Sequence, residues 1–119
     1  MKWYLVKIVY RIVCGNGNHT PQFDEQLRLI DAPTEEEAFA KAAAIGKREE
    51  DTFCNDKQQL VQWQFVDVAE LFCFTQLIDG AELYSSINEV DDGEAYATFV
   101  HEKAKRIKER NLHHQLNHI

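Results

Sequence analysis

From Lys2 to Cys14 the chain alternates with a period of two. Tyr4, Val6, Ile8, Tyr10 and Ile12 fall on one side; Trp3, Leu5, Lys7, Val9, Arg11 and Val13 fall on the other. That period marks an extended strand, and β-branched and aromatic residues dominate it. Both sides are largely apolar, which predicts a central strand with something packed on each face. The cluster Gly15-Asn16-Gly17-Asn18-His19-Thr20-Pro21 then reads as a hairpin loop. Its glycines do not complete a phosphate loop, because GxGxxG needs glycine where Thr20 stands and a strand rather than a helix follows. The second strand runs from about Phe23 to Asp31, with Phe23, Glu25, Leu27 and Leu29 on one face.

Pro33-Thr34-Glu35-Glu36-Glu37 is a helix start in which Thr34 and Glu37 are spaced as a capping box. Three carboxylates at the positive end of the helix dipole have a structural role there and need no catalytic one. Ala38, Phe39, Ala42, Ile45 and Gly46 recur at helical spacing, and the helix runs to about Glu50. Ala38, Ala42 and Gly46 are small and four apart, so this helix can lie close on a sheet. After Cys54-Asn55-Asp56-Lys57 a long extended region begins near Leu60, with Val61, Trp63 and Phe65 on one face. Beyond Asp67 the apolar set changes parity to Val66, Val68, Phe72 and Phe74, which predicts a bulge near Phe65–Asp67. Asp79-Gly80 is a two-residue hairpin signal, and a return strand is expected from Ala81 to about Ile87. Past a polar loop, Asn88 to Gly93, a last helix runs from about Glu94 to Arg110 with Tyr96, Phe99, Val100, Ala104 and Ile107 as its stripe. Its basic residues, Lys103 to Arg110, suit the negative end of the dipole and read as a solvated face. Residues 111–119 are expected to be a polar, frayed tail.

These elements predict one α+β domain over residues 1–110: a four-stranded antiparallel sheet with two helices in the order β-β-α-β-β-α. The strand order 2-1-3-4 puts the two-faced first strand in the middle and makes every neighbour antiparallel.

Composition narrows the function classes. With 119 residues and 45% hydrophobic content, the chain supports one folded core. Thirteen Lys and Arg stand against 20 Asp and Glu, a formal charge of −7, which argues against nucleic acid or an anionic membrane as partner. No apolar run approaches the ~20 residues that span a bilayer, and no Ala-x-Ala cleavage signature follows the opening Met1-Lys2-Trp3-Tyr4. Three cysteines without a CxxC pair suit a reducing compartment, so a cytoplasmic location is expected.

Several stretches act together as a family pattern. They are the Trp3-Tyr4 strand, Phe23-Asp24-Glu25, Leu29-Ile30-Asp31-Ala32, Glu36-Glu37-Ala38-x-x-Lys41-Ala42 with Ile45-Gly46-Lys47, Trp63-x-Phe65, and Asp79-Gly80-Ala81-Glu82-Leu83-Tyr84-Ser85. In order and spacing the chain resembles, over roughly residues 1–90, the short bacterial proteins catalogued as domain of unknown function 4288. The resemblance implies the fold and carries no activity and no catalytic residue.

Candidate chemistry is sparse. His114 and His118 are four apart, but in a polar terminal segment they point to adventitious nickel or zinc, and no functional metal or cofactor is expected. Cys14 lies near His19, yet neither an oriented base nor an oxyanion site is visible, and Cys73 reads as a small buried hydrophobe. Glu25 shares a face with apolar residues, so it is expected to bond a tyrosine or a backbone amide, or to line a sheet–helix pocket with Tyr10 and Tyr84. The expected function is a non-enzymatic protein-interaction or accessory module acting as a homodimer through Trp3, Leu5, Val9 and Val13. The alternative is a small-molecule binder or enzyme using the Glu25–tyrosine pocket.

Overall fold

A computed structural model describes residues 1–117. The elements are β1 (Lys2–Cys14), β2 (Gln22–Ala32), α1 (Glu35–Arg48), β3 (Asp51–Cys54), β4 (Leu60–Phe74) and α2 (Gly93–Asn117). The strands form one antiparallel sheet in the order β2-β1-β4-β3, giving the α+β fold in the sequence β-β-α-β-β-α. The chain clusters into two compact units, Met1–Ser85 and a second beginning at Ser86.

In the first unit β1 is central. It pairs with β2 through an unbroken register from Lys2↔Ala32 to Ile12↔Gln22. On its other side it pairs with β4, where the register slips twice, between Lys7 and Ile8 and between Val9 and Tyr10. The slips leave Ala69 and Val66 without a partner on β1, so β4 carries two bulges where the parity change pointed to one. Two slips restore the phase. Val61, Trp63, Phe65, Val68, Leu71 and Cys73 therefore register with the even-numbered residues of β1, while Phe72 and Phe74 register with Leu5 and Trp3.

The Tyr4, Val6, Ile8 and Tyr10 side of β1 forms the core with Ile30, Ala32, Ala38 and Ala42, and Ile45, Trp63, Phe65, Val68 and Leu71 pack against it. Helix α1 covers this face through its small residues, with Ala38, Ala42 and Gly46 buried. The Glu37 N–H donates to Thr34 Oγ1 at 3.2 Å and starts the helix. At the other end the last carbonyls lack helical partners. The Glu49 N–H donates to Ile45 O, the Glu50 N–H to Lys47 O, and the Tyr10 phenol donates to Gly46 O at 2.8 Å.

The fourth strand is a correction. The Asp79-Gly80 turn is present, with Gly80 at φ 82° and the Ala81 N–H donating to Ile78 O at 3.1 Å, but Ala81–Ile87 forms no strand. The place beyond the long strand is taken by Asp51–Cys54, which pairs with Leu60–Trp63. The turn Asn55–Gln59 closes that hairpin through Asn55 Oδ1, which accepts from the Lys57 and Gln59 N–H groups. Bulges bend β4 beyond this point, and a bent edge is a poor template for another strand.

In the second unit, α2 begins where the Ala95 N–H donates to Asp92 Oδ1 at 3.0 Å. It extends through the stretch expected to fray as far as Asn117, because no Gly or Pro follows Arg110 to stop it. Its apolar stripe is exposed, with Phe99 at 52% and Ile107 at 49%. No helix among the described residues is long and apolar enough to cross a membrane.

Candidate functional site

The side of the sheet opposite α1 carries no helix of the first unit. Strand alternation sends Trp3, Leu5, Lys7, Val9 and Arg11 to it from β1, and the register aligns these with Asp31, Leu29, Leu27, Glu25 and Phe23 of β2. From β4 come Phe74, Phe72 and Glu70. In the central strand Leu5 is only 8% exposed, whereas Phe23, Leu27 and Leu29 on β2 are 53–56% exposed. Trp3 at 49% and Phe72 at 39% complete an apolar face in contact with water.

Lys7 is the cation near the middle of this face. Its Nζ lies 3.2 Å from Glu70 Oε2 and 4.0 Å from Glu25 Oε1, and 5.4 Å from the centroid of the Tyr84 ring. The Tyr84 phenol donates to Glu70 Oε1 at 3.0 Å, and its ring meets Phe72 edge-on at 5.2 Å between centroids. The hydrogen bond from Tyr84, with that from Lys7, holds the Glu70 carboxyl below its ordinary value against the opposing effect of burial. The Glu70 hydrogen bond likewise raises the Lys7 ammonium. Both shifts favour the charged forms and move the two groups away from the neutral range where proton transfer is efficient. The cluster thus lets a lysine lie in an apolar face, with Glu70 as its counter-ion.

At one end of the face Trp3, Leu29, Phe74 and Leu77 line an apolar cleft of about 180 Å³. At the other, the Arg11 guanidinium lies 5.6 Å from the Phe23 ring centroid.

The three residues expected to share a sheet–helix pocket are split between faces. Glu25 is opposite Val9 on the open face, with a side chain 61% exposed, and Tyr84 lies on that face too. Tyr10 is 1% exposed beneath α1, where burial raises its phenol. The alternation of β1 separates them, since Val9 and Tyr10 are neighbours and point to opposite sides. Of the residues expected at an interface, Trp3 is exposed, Val9 and Val13 are half-buried, and Leu5 is buried within the chain.

Beneath α1 a polar network ties the helix to β2. Arg28 donates two bonds to the Glu49 carboxylate, at 3.0 and 3.1 Å, and one from NH2 to Gln26 Oε1 at 2.6 Å. The Gln26 amide and the Trp63 indole N–H both donate to Asp24 Oδ2, at 2.6 and 3.1 Å. The Arg28 hydrogen bonds hold Glu49 below its ordinary value. The signal for this network was visible in hindsight as Asp24, Gln26 and Arg28 alternating with the apolar residues of β2. It is the polar side of β2 that turns towards the helix.

His19 approaches Cys14 through the backbone: its Nε2 accepts the Cys14 N–H at 3.0 Å, and its Nδ1 lies 2.9 Å from Thr20 O. That pairing assigns the proton to Nδ1 and makes the ring a clip for the loop. Cys73, expected to be buried, is exposed near the end of β4. His114 lies on α2, and His118 lies outside the described residues.

These features define a small α+β domain whose sheet carries α1 on one side and, on the other, an apolar face against which Leu77 and Tyr84 pack. The model of the family described as a domain of unknown function, DUF4288, matches residues 3–85, and the chain belongs to that family. The match spans the sheet from Trp3 onward, α1 and Tyr84. No curated protein and no solved structure matches the chain.

Proposed function

We propose that this protein is a non-enzymatic interaction or accessory module of the cytoplasm that acts as a homodimer, with the open side of its sheet in the contact. The observation that carries this reading is the exposure of Trp3, Phe23, Leu27, Leu29 and Phe72 on one face. Each such side chain is about half exposed and forgoes on the order of 1 kcal/mol relative to full burial. Contiguous apolar surface on a folded domain marks a contact site, and a second copy is the simplest partner. Lys7 and Glu70, 3.2 Å apart, give this face a charge pair that a partner can recognise.

The alternative of a small-molecule site lined by Glu25 and the tyrosines has less support, because Tyr10 lies on the other face. Light scattering at micromolar concentration tests the dimer. A mass near 13.8 kDa that persists on concentration removes the reading. A doubled mass that Leu29→Lys returns to monomer, with the circular dichroism unchanged, supports it.

A further inference from the structure

We infer that two copies join along the free edge of β2, in antiparallel register about a two-fold axis at Gln26, to make one continuous eight-stranded sheet. This rests on the homodimer reading above, and places the contact along the β2 rim of that face, through Phe23 and Leu29, rather than across the whole of it.

The free edge of β2 is long and regular, with Asp24, Glu25, Arg28 and Asp31 along it. β2 is 11 residues long, ends the sheet, and has no strand on its outer side among the described residues. Its ladder with β1 is unbroken, and it holds no proline and no bulge. Soluble proteins normally blunt such an edge, because its unpaired N–H and C=O groups are a template for another strand. The opposite edge strand, β3, is blunted by being only four residues long. On β2 the Lys41 ammonium donates to the Asp31 carbonyl at 3.0 Å, near one end only.

The exposure pattern shows which flank is missing. Leu5, in the middle of the open face, is 8% exposed without any second copy, while Phe23, Leu27 and Leu29 on the edge are 53–56% exposed. Strands on both sides, and the segment that carries Leu77 and Tyr84, shelter the central strand. The edge residues lack a lateral neighbour, and a strand added beside them supplies it.

Side-chain complementarity selects the register. In an antiparallel pair, residues opposite each other share a face, so a two-fold pairing of identical strands is centred on a residue. Centred on Gln26, the pairing sets Asp24 against Arg28 of the partner subunit on the α1 side, and Phe23 against the partner's Leu29 on the open side. Both pairs occur twice by symmetry, as do Glu25 against the partner's Leu27 and Gln22 against the partner's Ile30, so the register is favoured by its charge pair and its Phe23 contact. Centred on Arg28, the pairing would oppose like charges at the axis; centred on Leu27, it would set Asp24 against Ile30 and Phe23 against Asp31. Opposite charges and apolar pairs directly across a ladder stabilise it, and like charges destabilise it.

The test is made on the full chain with Cys14, Cys54 and Cys73 replaced by serine and Gln26 replaced by cysteine. Residues opposite each other at such an axis have Cα atoms about 4.5–5.5 Å apart, within disulfide reach. Oxidation is expected to link Gln26→Cys chains into covalent dimers and to leave Phe53→Cys chains, on the other edge, unlinked. Hydrogen exchange on the unsubstituted protein provides a second readout. Alternate amides of β2 are expected to be protected in the dimer and to lose that protection on dilution. A dimer that neither links through Gln26→Cys nor protects the β2 amides overturns the edge pairing and leaves the homodimer intact. If the same dimer also dissociates on Val9→Lys, the copies stack face to face. A monomer at every concentration overturns both.

Discussion

Gly46 of α1 lies against the ring of Phe65 on β4 so closely that a Cβ built on the glycine would overlap two ring carbons. The same ring meets Tyr10 edge-on at 6.1 Å between centroids, and the Tyr10 phenol donates to the Gly46 carbonyl. Helix, central strand and bulged strand therefore meet at one point where there is no spare volume. The helix cannot lift away from Phe65 without stretching the bond from Tyr10.

Gly46→Ala is expected to destabilise the protein despite improving helix propensity. Alanine gains about 1 kcal/mol in a helix interior, whereas inserting a methyl into a packed contact costs about 1–3 kcal/mol. A net loss of up to about 2 kcal/mol in chemical denaturation is the predicted outcome. In the Phe65→Leu background the same alanine should be better tolerated, and a double-mutant cycle measures the difference. Equal losses in both backgrounds would remove the argument from the ring.

Tyr10→Phe deletes only the hydroxyl that caps the Gly46 carbonyl. Leaving that acceptor unpaired in a buried place should cost about 1–3 kcal/mol. The loss should appear first as faster amide exchange in the last turn of α1, with the sheet amides unaffected. Uniform acceleration across the first unit would argue against a local cap.

Thr34→Ala removes the side-chain acceptor for the Glu37 N–H. A loss of about 1 kcal/mol with the fold intact is expected. An unchanged denaturation midpoint would show that the cap contributes nothing measurable.

Stability should be flat between roughly the ordinary carboxylate and phenol ranges and fall on both sides. Glu49 and Glu70 are held below their ordinary 4.5 by hydrogen bonds, chiefly from Arg28 and Tyr84 respectively. The unfolded chain therefore takes up protons first. Their contribution is complete above 4.5 and is lost as the pH falls through the lower folded values. Tyr4 and Tyr10 are raised from 10.0 by burial, so their contribution is complete below that value and lost above it. Thermal midpoints from pH 3 to 11 check both limbs. Glu49→Gln should lower the plateau and shallow the acid limb, and an acid limb of unchanged slope would disconnect Glu49 from it.

Much of the fold was legible in local pattern. Period two over Lys2–Cys14, small residues four apart at Ala38, Ala42 and Gly46, and Thr34 three residues before Glu37 each act over a few residues. Such patterns specify a strand, a close-lying helix and its start without reference to the rest of the chain. Pairing is different in kind, because it depends on what competes for an edge. Asp79-Gly80 made its turn, yet Ala81–Ile87 did not become a strand, and four exposed residues, Asp51–Cys54, took the place beside β4.

The candidate site shows the same division. Sequence alternation placed Phe23, Glu25, Leu27 and Leu29 on one face by itself, since alternate residues of a strand share a side. Whether that face was covered could not follow from alternation, because coverage depends on where α1 crosses the sheet. The tertiary structure put α1 over Tyr4, Val6, Ile8 and Tyr10, which turned Glu25 from a candidate buried acid into an exposed neighbour of Lys7. It also joined Tyr84 to Glu70 across 14 positions and Trp63 to Asp24 across 39. Contacts at such separations come from register and bulges summed over the whole sheet, and no short stretch of the chain encodes them.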